Sequence, residues 1–272
     1  MSPKFILRSL TASCFAVMLT CGAVAQEAKP FEPVYGQQGK DVVWVPTAQG
    51  LVDRMLDMAK VTPKDYVIDL GSGDGRTVIT AAKRGARAMG IEYNPDMVAL
   101  SKKNAAAAGV GEKAVFVQGD IFKSDFKQAT VITMFLLPDL NLRLRPILLE
   151  MKPGTRVVSN SFDMAEWTPD QEVSATGQCE SYCRAMLWII PAKVDGAWRM
   201  PRGELVLAQN FQMLAGTMHS PAGPRPISDG KMNGDEISFT VGDRTYKGRV
   251  TGNKIEGTIS DGGTWQATRQ RE

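Results

Sequence analysis

A short glycine-rich segment contains residues that could hold a small polar ligand. It runs Asp69-Leu70-Gly71-Ser72-Gly73-Asp74-Gly75-Arg76 and continues an apolar run typical of a buried strand. Glycines let a backbone turn tightly and approach a ligand without a Cβ in the way. The third glycine comes one position earlier than in the dinucleotide fingerprint G-x-G-x-x-G, and no P-loop motif is present. The spacing therefore argues against a dinucleotide and favours another ligand at the carboxyl end of this strand.

Acidic residues follow at the ends of the next two predicted strands. Glu92 ends the second strand, and Asp120 follows the third with Ile121 beside it. A carboxylate at the end of the second strand can accept hydrogen bonds from both hydroxyls of a ribose. Glu92 could also be a solvated charge, and Asp120 could cap a turn. Asp74 and Arg76 fit better as turn and surface residues than as ligand contacts. Three such elements in order nevertheless indicate one site.

The pattern G-x-G-x-G after an acidic strand resembles motif I of the class I, seven-stranded S-adenosyl-L-methionine (SAM)-dependent methyltransferases. The resemblance implies SAM as the cofactor. In that family's pattern, Asp120 would accept a hydrogen bond from the adenine amino group, and Ile121 would pack on the adenine ring. The cofactor-binding residues predicted on this basis are Asp69, Gly71, Ser72, Gly73, Gly75, Glu92, Asp120 and Ile121.

Further segments resemble one subgroup of these methyltransferases. Residues 45–47 (Val-Pro-Thr), 135–138 (Phe-Leu-Leu-Pro) and 151–158, with Phe162 and Trp167, are similar to small lysine methyltransferases of mitochondria and their bacterial relatives. This resemblance implies a protein lysine as the methyl acceptor. The Asn-Pro-Pro-Tyr signature of enzymes that methylate amide or adenine nitrogens is absent after the fourth predicted strand.

The acceptor pocket is predicted to be apolar. A lysine must be neutral when it attacks a methyl group, and an apolar pocket lowers its pKa. Methyl transfer depends mainly on positioning and on desolvation of the cation, so no acid–base residue is predicted. The pocket candidates are Val45, Pro46, Thr47, Phe135, Leu137, Pro138 and Trp167. Core packing is the alternative for all of them, and for Thr47 we favour the N-cap of a helix over 48–59.

The elements that would position these residues alternate between strands and helices. Residues 42–192 therefore predict an α/β domain, a Rossmann-like methyltransferase sheet with helices on both faces. The strands are predicted at 65–70, 88–93, 114–118, 130–136 and 156–161, with an antiparallel pair at 171–178 and 184–191 at one edge.

Residues 193–272 differ in pattern and predict a small antiparallel all-β domain. Short alternating runs are separated there by glycine-containing turns, and no convincing helix is present. A longer loop is predicted at 219–224. Core packing is favoured over a binding face for the aromatic residues Trp198, Phe211, Tyr246 and Trp265.

Residues 1–25 resemble a secretory signal peptide. Lys4 and Arg8 precede an apolar stretch that ends in Ala23-Val24-Ala25, an A-x-A cleavage pattern. This predicts export to the periplasm, with 26–41 as a linker, although an uncleaved anchor is the alternative. Cleavage would remove two basic residues and no acidic ones, which lowers the net charge from +3 to +1.

The composition excludes several function classes. The chain has one histidine, His219, so a mechanism with a histidine dyad or a histidine-rich zinc site is nearly excluded, and no metal site is predicted. The small net charge does not suggest nucleic acid as a partner. Cys179 and Cys183 form either a local disulfide or two unrelated thiols. The favoured function is methyl transfer to a protein; the alternative is a non-catalytic envelope protein that binds a nucleoside-type ligand or none.

Overall fold

The structure, a computed structural model, describes Met1, residues 31–175 and residues 179–270. Apart from Met1, the predicted leader lies outside the described residues. The first elements are an antiparallel pair, β1 (Gln37–Gln38) and β2 (Val43–Trp44), and the helix α1 (Gln49–Met58). The described part of the chain has no helix of the length and apolarity needed to cross a membrane.

Seven strands then form a mixed sheet with the glycine-rich loop near its centre. In chain order the elements are β3 (Tyr66–Leu70), α2 (Arg76–Lys83), β4 (Arg87–Glu92), α3 (Pro95–Ala107), β5 (Ala114–Gln118), β6 (Val131–Met134), α4 (Pro138–Leu148), β7 (Arg156–Asn160), β8 (Gln171–Ser174) and β9 (Arg184–Ile189). The strand order is β5-β4-β3-β6-β7-β9-β8. Strands β3 to β7 pair in parallel, and β9 is antiparallel to β7 and β8. The strand order reverses at β3, where open α/β sheets bind ligands.

Helices and loops cover both faces of this sheet. Apolar residues of α1, α2 and α3, such as Leu56, Val78 and Ala105, pack in the core on one face. Leu144 and Leu148 of α4 pack in the core on the other face. The predicted α/β architecture is therefore confirmed, including the antiparallel pair at one edge.

A local signal in the sequence marks the beginning of α3 but not that of α1. The Asn94 side chain accepts a hydrogen bond from the Asp96 amide at 2.9 Å and caps α3, in which Pro95 is the first residue. Helix α1 has no such cap, since its N-cap residue is Ala48. The prediction of Thr47 as the N-cap was wrong, because its hydroxyl accepts instead from Asn160 Nδ2 at 3.2 Å.

The C-terminal strands form a second, entirely antiparallel sheet. They are β10 (Gly196–Met200), β11 (Gly203–Asn210), β12 (Met213–Ser220), β13 (Gly223–Pro226), β14 (Ser228–Asn233), β15 (Glu236–Val241), β16 (Arg244–Thr251), β17 (Lys254–Ile259) and β18 (Thr264–Arg269). Because β11 pairs with both β10 and β12, eight strands close on themselves and β13 adds to β12. Trp198, Tyr246 and Trp265 are buried inside, as favoured by the sequence. The loop predicted at 219–224 was wrong, since β12 and β13 form a hairpin there.

The two sheets contact each other through a mixed apolar and polar interface. The ring of Phe211 stacks on Trp167, with centroids 5.6 Å apart. Gln212 Nε2 donates to the Thr168 carbonyl oxygen at 2.8 Å, and Lys231 pairs with Asp170 at 3.0 Å. The all-β domain is thereby packed against the loop that connects β7 to β8.

Candidate active site

A cleft of about 330 Å³ opens at the carboxyl ends of β3, β4, β5 and β6. Most of the residues that the sequence pointed to meet here. The predicted cofactor residues that line it are Asp69, Gly71, Ser72, Gly73, Glu92, Asp120 and Ile121. The predicted acceptor residues that line it are Val45, Pro46, Thr47, Phe135 and Leu137. The volume lies in the range of small-molecule sites.

The glycine loop brings its backbone close to the cleft. Gly73 has a φ of +53°, and a Cβ built there would lie 2.8 Å from Trp44 Nε1. Its carbonyl oxygen accepts from the Ser101 hydroxyl at 2.7 Å, which holds the loop on α3. The neighbouring Ser72 Oγ is buried and has no hydrogen-bond partner among the described residues. It lies beside the position that a Cβ at Gly90 would take, so the hydroxyl sits against β4.

Glu92 connects the end of β4 to the glycine loop. One carboxylate oxygen accepts from the Gly73 amide at 2.9 Å, and the other accepts from the Asn94 amide at 3.0 Å. A carboxylate has about four acceptor positions, so each oxygen keeps one for a ligand hydroxyl. The geometry therefore fits the bidentate ribose contact expected from the sequence.

Asp120 is paired with a lysine that the sequence did not identify. Lys40 Nζ lies 2.9 Å from Asp120 Oδ2 and 5.0 Å from the centre of the Tyr93 ring. The hydrogen bond from Lys40 holds the pKa of the Asp120 carboxyl below its usual range, with the Phe122 amide contributing. Each oxygen retains an acceptor position for an amino group such as that of adenine.

Residues 37–44 therefore line one side of the cleft, although the sequence assigned most of them to a linker. Trp44 packs against the glycine loop in the same segment. No motif marks Lys40 or Trp44, because both act through contacts with residues far away in the chain.

Asp69 is a buried carboxyl at the floor of the cleft. It is 6% exposed and accepts a hydrogen bond from the Thr133 hydroxyl at 2.6 Å. Burial raises the pKa of Asp69 from 3.8 to about 7, against that hydrogen bond and with help from the charges of Glu92 and Asp74. Asp69 therefore changes charge near neutral pH.

Replacing Asp69 with asparagine should flatten the pH dependence of stability. A carboxyl with a raised pKa in the folded chain holds its proton better there, so the free energy of unfolding falls as pH rises from about 4 to about 7. Asparagine keeps an acceptor for Thr133 and does not titrate. We expect the melting temperature of Asp69→Asn, minus that of the wild type, to grow from pH 4 to pH 7. If the melting temperatures of the two proteins change with pH by the same amount, burial does not raise the pKa of Asp69.

Gly75 is the one predicted cofactor residue that the structure places outside the lining of the cleft. It precedes α2 with a φ of +84°, and a Cβ there would lie 2.7 Å from a ring carbon of Phe116 and 3.0 Å from Ser101 Cβ. This glycine is needed because the loop packs closely on β5 and α3.

The structure also places Pro138 and Trp167 outside the lining, so it does not bring them together with the other acceptor candidates. Pro138 is the first residue of α4 and is exposed. Trp167 is fully buried against Trp188 and Phe211, because the all-β domain packs on it. Asp74 and Arg76 do line the cleft; they form an ion pair at 2.6 Å, and Arg76 also donates to the Thr47 carbonyl oxygen at 2.9 Å.

Three aromatic rings form a wall at one end of the cleft, which we call the aromatic wall. It consists of Phe135, Phe162 and Tyr182, whose ring centroids lie 5.2 to 6.1 Å apart. Tyr182 stands between Cys179 and Cys183, which form a disulfide. Of the two alternatives that the sequence left open for these cysteines, the structure therefore has the disulfide. No sequence pattern singled out Tyr182.

Comparisons with known proteins agree with this geometry. The family model described as the ANTKMT methyltransferase domain matches residues 69–171. A protein-lysine N-methyltransferase of Saccharolobus islandicus (strain REY15A) is 45% identical over 135 residues, which are 48% of this chain and 84% of that protein. The adenine nucleotide translocase lysine N-methyltransferase of Mus musculus is 34% identical over 130 residues, which are 47% of this chain and 56% of that protein.

A solved structure adds information on the cofactor. It is described as an RNA methyltransferase from Salinibacter ruber in complex with S-adenosyl-L-homocysteine, and it aligns with a TM-score of 0.52 at 49% identity. The alignment covers 55% of this chain and 96% of that one. The names of these proteins agree on methyl transfer and differ on the acceptor. The chain belongs to the family of class I, SAM-dependent methyltransferases that includes the protein-lysine enzyme of Saccharolobus islandicus, and SAM is its cofactor.

Proposed function

We propose that this methyltransferase transfers the methyl group of SAM to the side-chain amine of a protein lysine. The main support for a lysine acceptor is the aromatic wall, which lines the same cleft as the carboxylates. It offers an apolar surface next to the cofactor site. The similarity to two lysine methyltransferases supports the same acceptor. Residues 42–192 would be the catalytic domain and 193–272 a separate all-β domain.

Carboxylates and the glycine loop would hold the cofactor. Glu92 would accept the ribose hydroxyls, while Asp120 and Ile121 would bind the adenine. Gly71, Ser72 and Gly73 line the part of the cleft where the methionine portion is expected. When bound, SAM supplies a methyl carbon made electrophilic by its positively charged sulfur. An ionised Asp69 would balance part of that charge.

Apolar residues would prepare the acceptor. Phe135 and Leu137 give their end of the cleft an apolar lining, and desolvation would lower the pKa of an amine that packs against it. A neutral amine has the lone pair that it needs to attack the methyl carbon. The contribution of the protein is then alignment of the two partners and exclusion of water.

We also propose that the protein acts outside the cytosol, in the periplasm. The signal-like residues 1–25 support export, and the Cys179–Cys183 disulfide supports an oxidising compartment. We expect the exported form to begin at Gln26. N-terminal sequencing of the protein purified from the periplasm tests this prediction, and an intact leader there would contradict the proposed cleavage.

The acceptor can be tested with methyl-labelled SAM. The purified protein is incubated with an envelope extract from cells that lack it, and the products are separated after treatment with protease or ribonuclease. We expect label that protease releases and ribonuclease does not, with methyl-lysine found by mass spectrometry. Label that ribonuclease releases would show that the acceptor is RNA and would contradict the proposed protein acceptor. Glu236→Ala, a surface change in the all-β domain, serves as a control and should label as the wild type does.

A further inference from the structure

We propose that Tyr182, held in place by the Cys179–Cys183 disulfide, completes the surface that seats the acceptor lysine, so that methyl transfer depends on the redox state of this disulfide. The inference rests on the proposed function, because it concerns the acceptor end of the same cleft. Tyr182 acts here as a positioning residue and takes no part in the bond changes.

The direction of β9 explains why Tyr182 reaches the cleft. The beginning of β9 lies beside the end of β7, where Ala185 pairs with Asn160 in an antiparallel register. The chain that precedes β9 therefore lies at the same edge of the sheet as the loops that follow β6 and β7. Those loops carry Phe135 and Phe162, so the three rings come together from three separate segments.

Hydrogen bonds attach the base of this segment to the sheet. The Ser161 amide donates to the Arg184 carbonyl oxygen at 2.7 Å, and the Arg184 guanidinium donates to the Ser161 carbonyl oxygen at 3.0 Å. The Ala175 amide donates to the Cys183 carbonyl oxygen at 2.7 Å. Cys183 is therefore fixed in position, and Tyr182 directly precedes it.

The disulfide restricts the backbone around Tyr182 itself. It joins two cysteines four positions apart, with Cα atoms separated by 5.7 Å. Tyr182 has a φ of +56°, in the left-handed region that residues other than glycine adopt rarely. Within so short a closed ring the backbone has few alternatives, whereas an open chain would relax toward commoner conformations. The disulfide thus keeps the Tyr182 ring against Phe135 and Phe162.

The chemistry of the wall suits a lysine side chain. Tyr182 is 42% exposed although its ring packs on two others, so part of it remains available to a ligand. Aromatic faces pack against the methylene groups of a lysine and attract positive charge. Positive charge appears on the amine nitrogen as the methyl group is transferred, so rings near this atom favour the reaction.

Reduction of the disulfide is a balanced two-electron step. Dithiothreitol, a dithiol, gives two electrons and two protons to the sulfur–sulfur bond, which becomes two thiols, and closes to its own cyclic disulfide. Cys179 and Cys183 are half-buried, and Glu180 and Ser181 between them are exposed. A small dithiol can therefore reach the bond.

The test combines two measurements on the full-length protein. The first is binding of n-butylamine, an analogue of the lysine side chain, to the complex with S-adenosyl-L-homocysteine, followed by calorimetry. The second is labelling of the envelope extract at increasing extract concentration. For Tyr182→Ala, for Cys179→Ser/Cys183→Ser and for dithiothreitol-treated wild type, we expect butylamine affinity and the half-saturating extract concentration to worsen roughly three- to tenfold. The rate at saturation should change less.

Controls separate positioning from misfolding. Affinity for SAM should stay within about twofold in every variant, since Tyr182 lies at the acceptor end. Tyr182→Phe should restore both measurements, because it keeps the ring, and dithiothreitol should have no further effect on the double cysteine variant. Val206→Ala, on the surface of the all-β domain, should match the wild type.

The possible outcomes distinguish this inference from the proposed function. Unchanged butylamine affinity in Tyr182→Ala, with unchanged half-saturation, overturns the role of Tyr182. If Tyr182→Ala does not fold, dithiothreitol-treated wild type decides in the same way. The wild type could instead label no protein while butylamine binding still depends on Tyr182 and on the disulfide. That result would support the amine site and contradict the proposed protein acceptor.

Discussion

Replacing Glu92 with alanine should weaken SAM binding by about 3 kcal/mol, roughly a hundredfold, as measured by calorimetry. The loss has two parts. Two acceptors for the ribose hydroxyls disappear, and the amides of Gly73 and Asn94 lose the carboxylate that now accepts from them at 2.9 and 3.0 Å. Without the carboxylate, the glycine loop and the beginning of α3 both lose a hydrogen bond that holds them. Methyl transfer should fall with cofactor occupancy.

The matched control for this prediction is Glu236→Ala. Glu236 is an exposed glutamate that pairs with Arg249 in the all-β domain and does not line the cleft. Its removal should leave SAM affinity unchanged. If Glu92→Ala binds SAM as tightly as this control, the assignment of Glu92 to the ribose is wrong, and the carboxylate serves only to hold the loop.

Replacing Gly75 with alanine should lower stability by about 3 kcal/mol, or roughly 6–12 °C in melting temperature, from backbone strain and overpacking combined. The residue has a φ of +84°, which disfavours a Cβ. That Cβ would also lie 2.7 Å from the ring of Phe116, which is 2% exposed and has little room to move. Thermal unfolding of the variant measures the loss.

Gly109→Ala isolates the backbone contribution. Gly109 has a comparable φ of +69°, but nothing lies within 4 Å of the Cβ position. The free energy of unfolding of Gly109→Ala should therefore fall by only about 1–2 kcal/mol, the cost of the left-handed conformation alone. Equal losses in the two variants would show that the contact with Phe116 is unimportant.

The distinction between Gly73 and Gly75 shows what a motif conceals. Both belong to the same glycine pattern and both have positive φ values. Gly73 faces the cleft and Trp44, whereas Gly75 faces Phe116 and Ser101 in the core. The sequence predicts that a Cβ is unfavourable at both positions, and only the tertiary structure shows which neighbouring residue excludes it.

Aromatic residues illustrate the same limit in the acceptor pocket. Phe135 and Trp167 carry the same family resemblance and were both predicted there. Phe135 lines the cleft because it follows β6 at the edge where ligands bind. Trp167 is covered by Phe211 from the all-β domain. The two residues are 44 positions apart in the chain, so no local sequence pattern predicts this contact.

The sequence by itself determined the order of strands and helices, the glycine loop and the acidic strand ends, because these depend on local periodicity and on turns of a few residues. Their convergence follows from parallel strands, whose carboxyl ends share one edge. Only the tertiary structure decided that Lys40 meets Asp120 and that Tyr182 meets Phe135 and Phe162. These contacts depend on the strand order, on the antiparallel direction of β9 and on a disulfide, and such long-range pairings leave no periodic trace in the chain.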